Sequence, residues 1–253
     1  MSDFNRRDAA KAAALGAIGS LGVAAAAADD DAGATGGGNA PAHLSAGGSV
    51  PYSRLRKDDA AVLFVDHQAG LTALVQDYDP VAFRNGVTAL VDIAKFFDLP
   101  AVLTTSFEDS PNGPMVPEVK DAFPDAPFIA RPGQINAWDN EDFVKAVQAT
   151  GKKQLIIAGI VTEVCVAFPA LSARAEGYEV FVVTDASGTF DEATRQAAWL
   201  RMAQAGVQLC NWFAVASELH RDWRNDVEGF GKLLADHTPV YRALMTSHDA
   251  KAS

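Results

Sequence analysis

Three residues carry the chemistry this sequence can offer. Cys165, in AGIVTEVCVAFPA, follows an apolar run and precedes a helical pattern. A thiol at a strand-to-helix turn sits where unpaired N–H groups and the helix dipole favour an anion. That field is expected to lower its pKa and raise its nucleophilicity, and the same N–H groups can hold an oxyanion. Taken alone, it could equally be a buried, inert cysteine. Asp66, in FVDHQAG, comes directly after another apolar run and could serve as a base there, or as an ordinary turn or cap residue. Arg131, in FIARPGQINAW, is a permanent cation that would stabilise both a carboxylate and a thiolate, or form a purely structural ion pair.

The elements that must position these groups alternate along the chain. Ala60–Val65 reads as a buried strand, and Asp79-Pro80 opens a helix carrying Leu90, Val91, Ala94 and Phe97. Ala101–Thr105 forms a second strand. Asp139 and Asn140 are N-cap candidates for a helix with Phe143, Val144 and Val147 on one stripe, stopped by Gly151. Leu155–Ala158 is a third strand, with a helix from about Val164 to Glu176 after it. Val180–Val183 is a fourth, Asp191 caps a helix running to Ala205, and Val207–Leu209 is a short fifth. From Trp212 onward the pattern is mainly helical. Strands separated by helices require parallel pairing, and the resulting expectation is a doubly wound three-layer α/β/α sandwich with a mainly parallel sheet. In such sheets ligands bind at the carboxyl ends of the strands, where Asp66 and Cys165 fall.

Composition narrows the function classes. With 21 Lys and Arg against 32 Asp and Glu, the net charge is −11, which disfavours nucleic acid or an anionic membrane as partner. Two cysteines make no disulfide framework, and the five histidines are too scattered for a metal site. No cofactor is implied, since no G-x-G-x-x-G follows the first strand. The first 28 residues combine Arg6-Arg7, Lys11 and an Ala- and Gly-rich apolar run, as in a twin-arginine leader, which predicts export to the periplasm or beyond. Residues 29–50, rich in glycine, read as a flexible linker, and residues 51–253 as the globular domain.

The segments VDHQAG, TTSFEDSPNGP, RPGQINAWDNEDF, AGIVTEVCVAFPALSA and FVVTDASGTF together resemble the isochorismatase-like cysteine hydrolase superfamily, and most closely its YcaC-type subgroup. The resemblance runs from about Ala60 to Arg242. It implies an Asp–Lys–Cys triad, matched by Asp66 and Cys165, with Arg131 standing where the lysine is expected. It also implies a cis peptide at Ile160-Val161 and an oxyanion hole from the N–H groups of Val161 and Cys165. The activity implied is hydrolysis of a small molecule at an amide C–N bond, in a homo-oligomer. The absence of an Asp/His cluster counts against a nicotinamidase, and the presence of Cys165 against hydrolysis of isochorismate. Gln68, Phe107, Asn136, Trp138 and Thr162 are the expected pocket residues, although Phe107 and Trp138 could instead pack in the core or at a subunit contact. His67 reads as structural. A thiol redox protein using Cys165 and Cys210, or a non-catalytic oligomeric binding protein, are the alternatives.

Overall fold

The computed structural model describes residues 52–252; the expected leader and linker lie outside them. Six strands form one parallel sheet: β1 (Ala60–Val65), β2 (Ala101–Ser106), β3 (Phe128–Arg131), β4 (Gln154–Gly159), β5 (Glu179–Val183) and β6 (Gln208–Cys210). Their order is β3-β2-β1-β4-β5-β6, with every neighbouring pair parallel. The helices are α1 (Ala69–Thr72), α2 (Pro80–Phe96), α3 (Pro117–Lys120), α4 (Glu141–Ala149), α5 (Ala167–Ala175), α6 (Glu192–Gln204), α7 (Trp212–His220), α8 (Val227–His237) and α9 (Pro239–Ala252).

The period of two along each strand sends alternate side chains into two cores, which makes the three layers. Val62, Phe64, Ile156 and Ala158 pack with Leu90 and Ile93 of α2, Val215 of α7 and Phe230 of α8. Ala61, Leu63, Leu155 and Ile157 point the other way, onto Phe143 of α4, Ala170 of α5 and Met202 of α6. Helix ends follow the sequence signals. Asp79 accepts from the N–H groups of Val81 and Ala82, Asn140 from Phe143 and Asp191 from Thr194. Asp139 does not cap α4; it lies in the single 3₁₀ turn before it. Gly177 takes a φ of +91° just beyond α5, a conformation that costs other residues more.

Two features differ from the sequence expectation. The sheet has a sixth strand, β3, where the sequence pattern predicts no strand. It is a four-residue edge strand between Pro127 and Pro132, half-buried at Phe128 and Ile129, exposed at Ala130 and buried at Arg131, so it shows neither a continuous apolar run nor a clean alternation. The helix expected from Val164 begins as a π turn over Thr162–Val166, and regular α-helix starts only at Ala167. Such widened turns recur at functional sites.

The direction of strand succession reverses between β1 and β4, the switch point at which doubly wound sheets open a crevice. There the two backbones come unusually close. A β-carbon on Gly159 would stand 2.1 Å from the carbonyl oxygen of Val65, so only glycine fits.

Candidate active site

Asp66 is the first residue after β1. Its φ of +57° is uncommon for a residue with a side chain, and strained residues of this kind cluster at functional sites. Two hydrogen bonds hold it there: its N–H donates to the Thr104 carbonyl at 2.9 Å, and its own carbonyl accepts from Gln68 N–H at 2.7 Å. Arg131 ends β3, two strands away, and reaches back across β2. All three of its guanidinium nitrogens are engaged. Nη2 lies against both Asp66 carboxylate oxygens, at 2.6 Å from Oδ2. Nε donates to Thr104 Oγ1 at 3.0 Å, and Nη1 donates to the carbonyls of Gln134 and Ile135.

Cys165 comes from the turn after β4. The Ile160-Val161 peptide is cis. Beyond it Thr162 N–H donates to the Gly188 carbonyl at 3.0 Å, tying the turn to the loop after β5. The thiol faces the Asp66 carboxyl and receives the Val161 N–H. Arg131, Asp66 and Cys165 therefore converge from β3, β1 and β4 at one edge of the sheet, with Asp66 between the other two.

The electrostatics correct one expectation. The Cys165 thiol is not lowered but pushed well up, first by burial and then by the charge and hydrogen bond of Asp66; Val161 N–H and Arg131 oppose this more weakly. The argument from a helix end fails because the π turn sets Cys165 inside the protein, where loss of water and a neighbouring carboxylate outweigh a partial dipole. Burial also raises the Asp66 carboxyl, against the pull of Arg131. Burial therefore raises the proton affinity of both groups.

The expected pocket residues divide. Phe107 is half exposed beyond β2 with a φ of +47°, and its N–H donates to the Arg131 carbonyl. Thr162 is buried with a hydroxyl that has no partner. Both lie just beyond the carboxyl ends of strands, Phe107 after β2 and Thr162 after β4. Gln68, Asn136 and Trp138 have their polar atoms engaged within the protein. The Gln68 amide clamps Ser106 N–H and the Ser106 and Gly113 carbonyls. Asn136 accepts from Trp138 N–H and donates to Ser172. The Trp138 indole donates to Glu176 and packs edge-on against Phe143 and Tyr178.

His67 is fully buried, bonded to the Ala186 carbonyl at 3.0 Å, and burial lowers it to about 4, so it is neutral and structural. Among the described residues no group of three or more His, Cys, Asp or Glu is placed to hold a metal ion. Sequence reasoning missed Thr104, whose hydroxyl donates to the Ile129 carbonyl while accepting from Arg131. Its signal was a pair of threonines, Thr104 and Thr105, closing an otherwise apolar buried strand. Also missed were Thr189, which donates to Glu163 at 2.6 Å, and Asp77, which accepts from Thr189 N–H. These bonds brace the nucleophile turn from the loop after β5.

Comparison with known proteins shows the family and agrees with the fold. Residues 60–213 match the family model described as the isochorismatase domain. The chain is 71% identical over 199 residues to "Probable hydrolase YcaC" of Escherichia coli, covering 79% of this chain and 96% of that protein. It is similar to the crystal structure of that YcaC gene product, described as an octameric hydrolase of unknown specificity, with a TM-score of 0.78 and 70% identity over 79% of this chain and 98% of the other. It is equally similar to YcaC from Pseudomonas aeruginosa, described with hexane-2,5-diol and covalent acrylamide, at a TM-score of 0.78 and 69% identity over 79% of this chain and all of the other.

Proposed function

This chain belongs to the isochorismatase family of hydrolases, and from that premise we propose that it is a cysteine-dependent hydrolase cleaving the C–N bond of a small amide through a thioester on Cys165. The observation that carries the reading is the placement of the Cys165 thiol against the Asp66 carboxyl, with Arg131 closing the far side of that carboxylate.

In this mechanism Asp66 takes the thiol proton as sulfur attacks the amide carbon. The carbonyl π electrons move to oxygen, which the N–H groups of Val161 and Cys165 receive; each such donor is worth about 3 kcal/mol in the barrier. The tetrahedral adduct collapses, the C–N bond breaks, and Asp66 hands its proton to the departing nitrogen. Water then attacks the thioester with Asp66 again as base, releasing a carboxylic acid and restoring the thiol. Because the thiol is raised, a free thiolate is scarce, so proton transfer and attack are coupled. Arg131 stays protonated throughout and transfers nothing; it orients Asp66 and offsets its charge.

The covalent acrylamide described for the Pseudomonas relative supports a pocket that presents a nucleophile to an amide-bearing electrophile. The octamer described for the Escherichia coli relative supports self-association here. We further propose export through the twin-arginine-like leader, checked by fractionating cells that express the full chain and a variant with Arg6 and Arg7 replaced by Lys. The thiol redox alternative is disfavoured, since Cys165 packs into the core on one face of the sheet and Cys210 against the core on the other.

The test is to incubate the protein with a library of small amides and follow acid release, with intact mass on rapid quench. An acyl adduct confined to Cys165, and absent together with all turnover in Cys165→Ala, is expected. Turnover that survives Cys165→Ala would end the proposal.

A further inference from the structure

The loops at the carboxyl edge of the sheet form the mouth of the site, and their charge pattern is one-sided. Residues 66–79 after β1, 107–116 after β2, 132–140 after β3, 160–166 after β4 and 184–191 after β5 contain no lysine and no arginine. They contain Glu108, Asp109, Asp139, Glu163 and Asp185 among other acids. The cation of the site, Arg131, has no nitrogen left for a ligand, since Asp66, Thr104 and the Gln134 and Ile135 carbonyls occupy all three. Arg195 of α6 is paired with Asp77 and Glu192 and donates to the Asp77 carbonyl, and its remaining nitrogen, Nε, is buried without a partner among the described residues.

Among the described residues, these loops offer a substrate carboxylate or phosphate no lysine or arginine of their own, and the Asp66 carboxyl stands beside the Cys165 thiol. Guanidinium and ammonium groups, the strongest side-chain donors to a carboxylate or phosphate, are missing from these loops, and the backbone donors at Val161 and Cys165 are the ones proposed for the reacting carbonyl oxygen. What the mouth does offer is apolar surface. Phe107, Ile135 and Phe190 are 52%, 62% and 43% exposed on three of these loops. Phe107 and Ile135 are both tied to Arg131, through Phe107 N–H on its carbonyl and Arg131 Nη1 on the Ile135 carbonyl. Phe190 follows Thr189, which is bonded to Glu163 in the nucleophile turn. Apolar walls with a few fixed polar groups describe a pocket for a small neutral molecule.

We infer that the substrate is an uncharged amide whose acyl part is apolar, with no carboxylate, phosphate or ammonium group. The inference rests on the amide-hydrolase reading for its bond and on the charge pattern for its selectivity, so the two are tested separately.

Selectivity is read first by covalent labelling of Cys165, which needs no turnover. Rates with iodoacetamide and iodoacetate are each divided by the rate with free cysteine at the same pH. The neutral reagent is expected to be favoured at least tenfold over the anionic one, and hexanamide, whose chain is in its acyl part, is expected to protect Cys165 from iodoacetamide at least fivefold better than acetamide. Ile135→Lys, at an exposed position, is expected to bring the iodoacetate ratio back toward that of free cysteine. Equal normalised rates for the two iodo reagents, or no better protection by hexanamide than by acetamide, would overturn the inference. Hydrolysis is read second, with hexanamide against its counterparts ending in a carboxylate or an ammonium group. Faster cleavage of either charged amide overturns the inference. If none of the amides is cleaved while the labelling ratios hold, the C–N reading fails and the charge selectivity stands.

Discussion

Arg131 and Asp66 meet as a closed ion pair. One guanidinium nitrogen lies against both carboxylate oxygens, and neither side chain reaches solvent. A buried pair of this kind contributes little net stability while intact, but it becomes costly when one partner is removed. The same contact that fixes the base also withdraws the cation from any role in binding.

Arg131→Met leaves the Asp66 charge buried without a partner, and unfolding stability is expected to fall by about 3–5 kcal/mol. Arg131→Lys keeps a charge but loses the fork that joins Asp66, Thr104 and two carbonyls, so a smaller loss of stability is expected with most of the activity gone. Urea unfolding of the three proteins checks both; equal midpoints would show that the pair is energetically idle.

Asp66→Asn is expected to move labelling and hydrolysis in opposite directions. The Asp66 charge holds the thiol up, so removing it, with Arg131 left in place, lowers the thiol. Alkylation of Cys165 at neutral pH then speeds up and its midpoint moves to lower pH, while amide hydrolysis drops by orders of magnitude for want of a base. A parallel fall in both rates would make Asp66 a structural residue only.

His67 predicts a pH dependence of stability. Burial holds it at about 4 in the folded protein against 6.5 as a model value, so between these values the unfolded chain binds the extra proton. Its contribution is complete above pH 6.5 and is lost as pH falls toward 4, by roughly 3 kcal/mol. His67→Gln should flatten that part of the curve in denaturant titrations at pH 7 and pH 5, whatever its effect at pH 7 alone; an unchanged slope would assign the acid sensitivity elsewhere.

Cys210 is expected to stay silent toward alkylation and oxidation at neutral pH. Burial and nearby acids push it up to about 12, and it faces the other side of the sheet from Cys165. Mild oxidation should therefore leave both thiols without a mutual disulfide, as read by intact mass under non-reducing conditions. Formation of that bond at appreciable yield would reopen the redox reading.

Five of the six strands are legible because each is a short run of apolar residues with a turn signal at its end. β3 is not, since an edge strand buries too little to be apolar throughout. Asp66 and Cys165 can be read as site residues because they come just beyond such runs. Arg131 can be read only as part of a motif, and its reach over Thr104 to Asp66 follows from a strand order that local sequence does not encode. Gln68, Asn136 and Trp138 show the complementary limit: an amide or indole beside a catalytic motif looks the same whether its partner is a substrate or a backbone carbonyl. The thiol illustrates a third. A helix-end field is a local property, but burial and the approach of Asp66 are tertiary, and they determine the sign.

The cation of the site is carried by a strand with one neighbour. β3 pairs with β2 alone, through the four positions from Phe128 to Arg131, whereas β1 and β4, which deliver Asp66 and Cys165, lie at the centre of the sheet. Short edges open at lower free energy than the sheet they border, and detaching β3 leaves the β1–β4 ladder whole. The molecule thus has two thresholds of integrity. Exchange of the β3 amides with solvent deuterium, rather than loss of ellipticity, marks the point at which Asp66 loses its counter-charge, and on the proposed mechanism activity ends there while global spectroscopy still reads a folded protein.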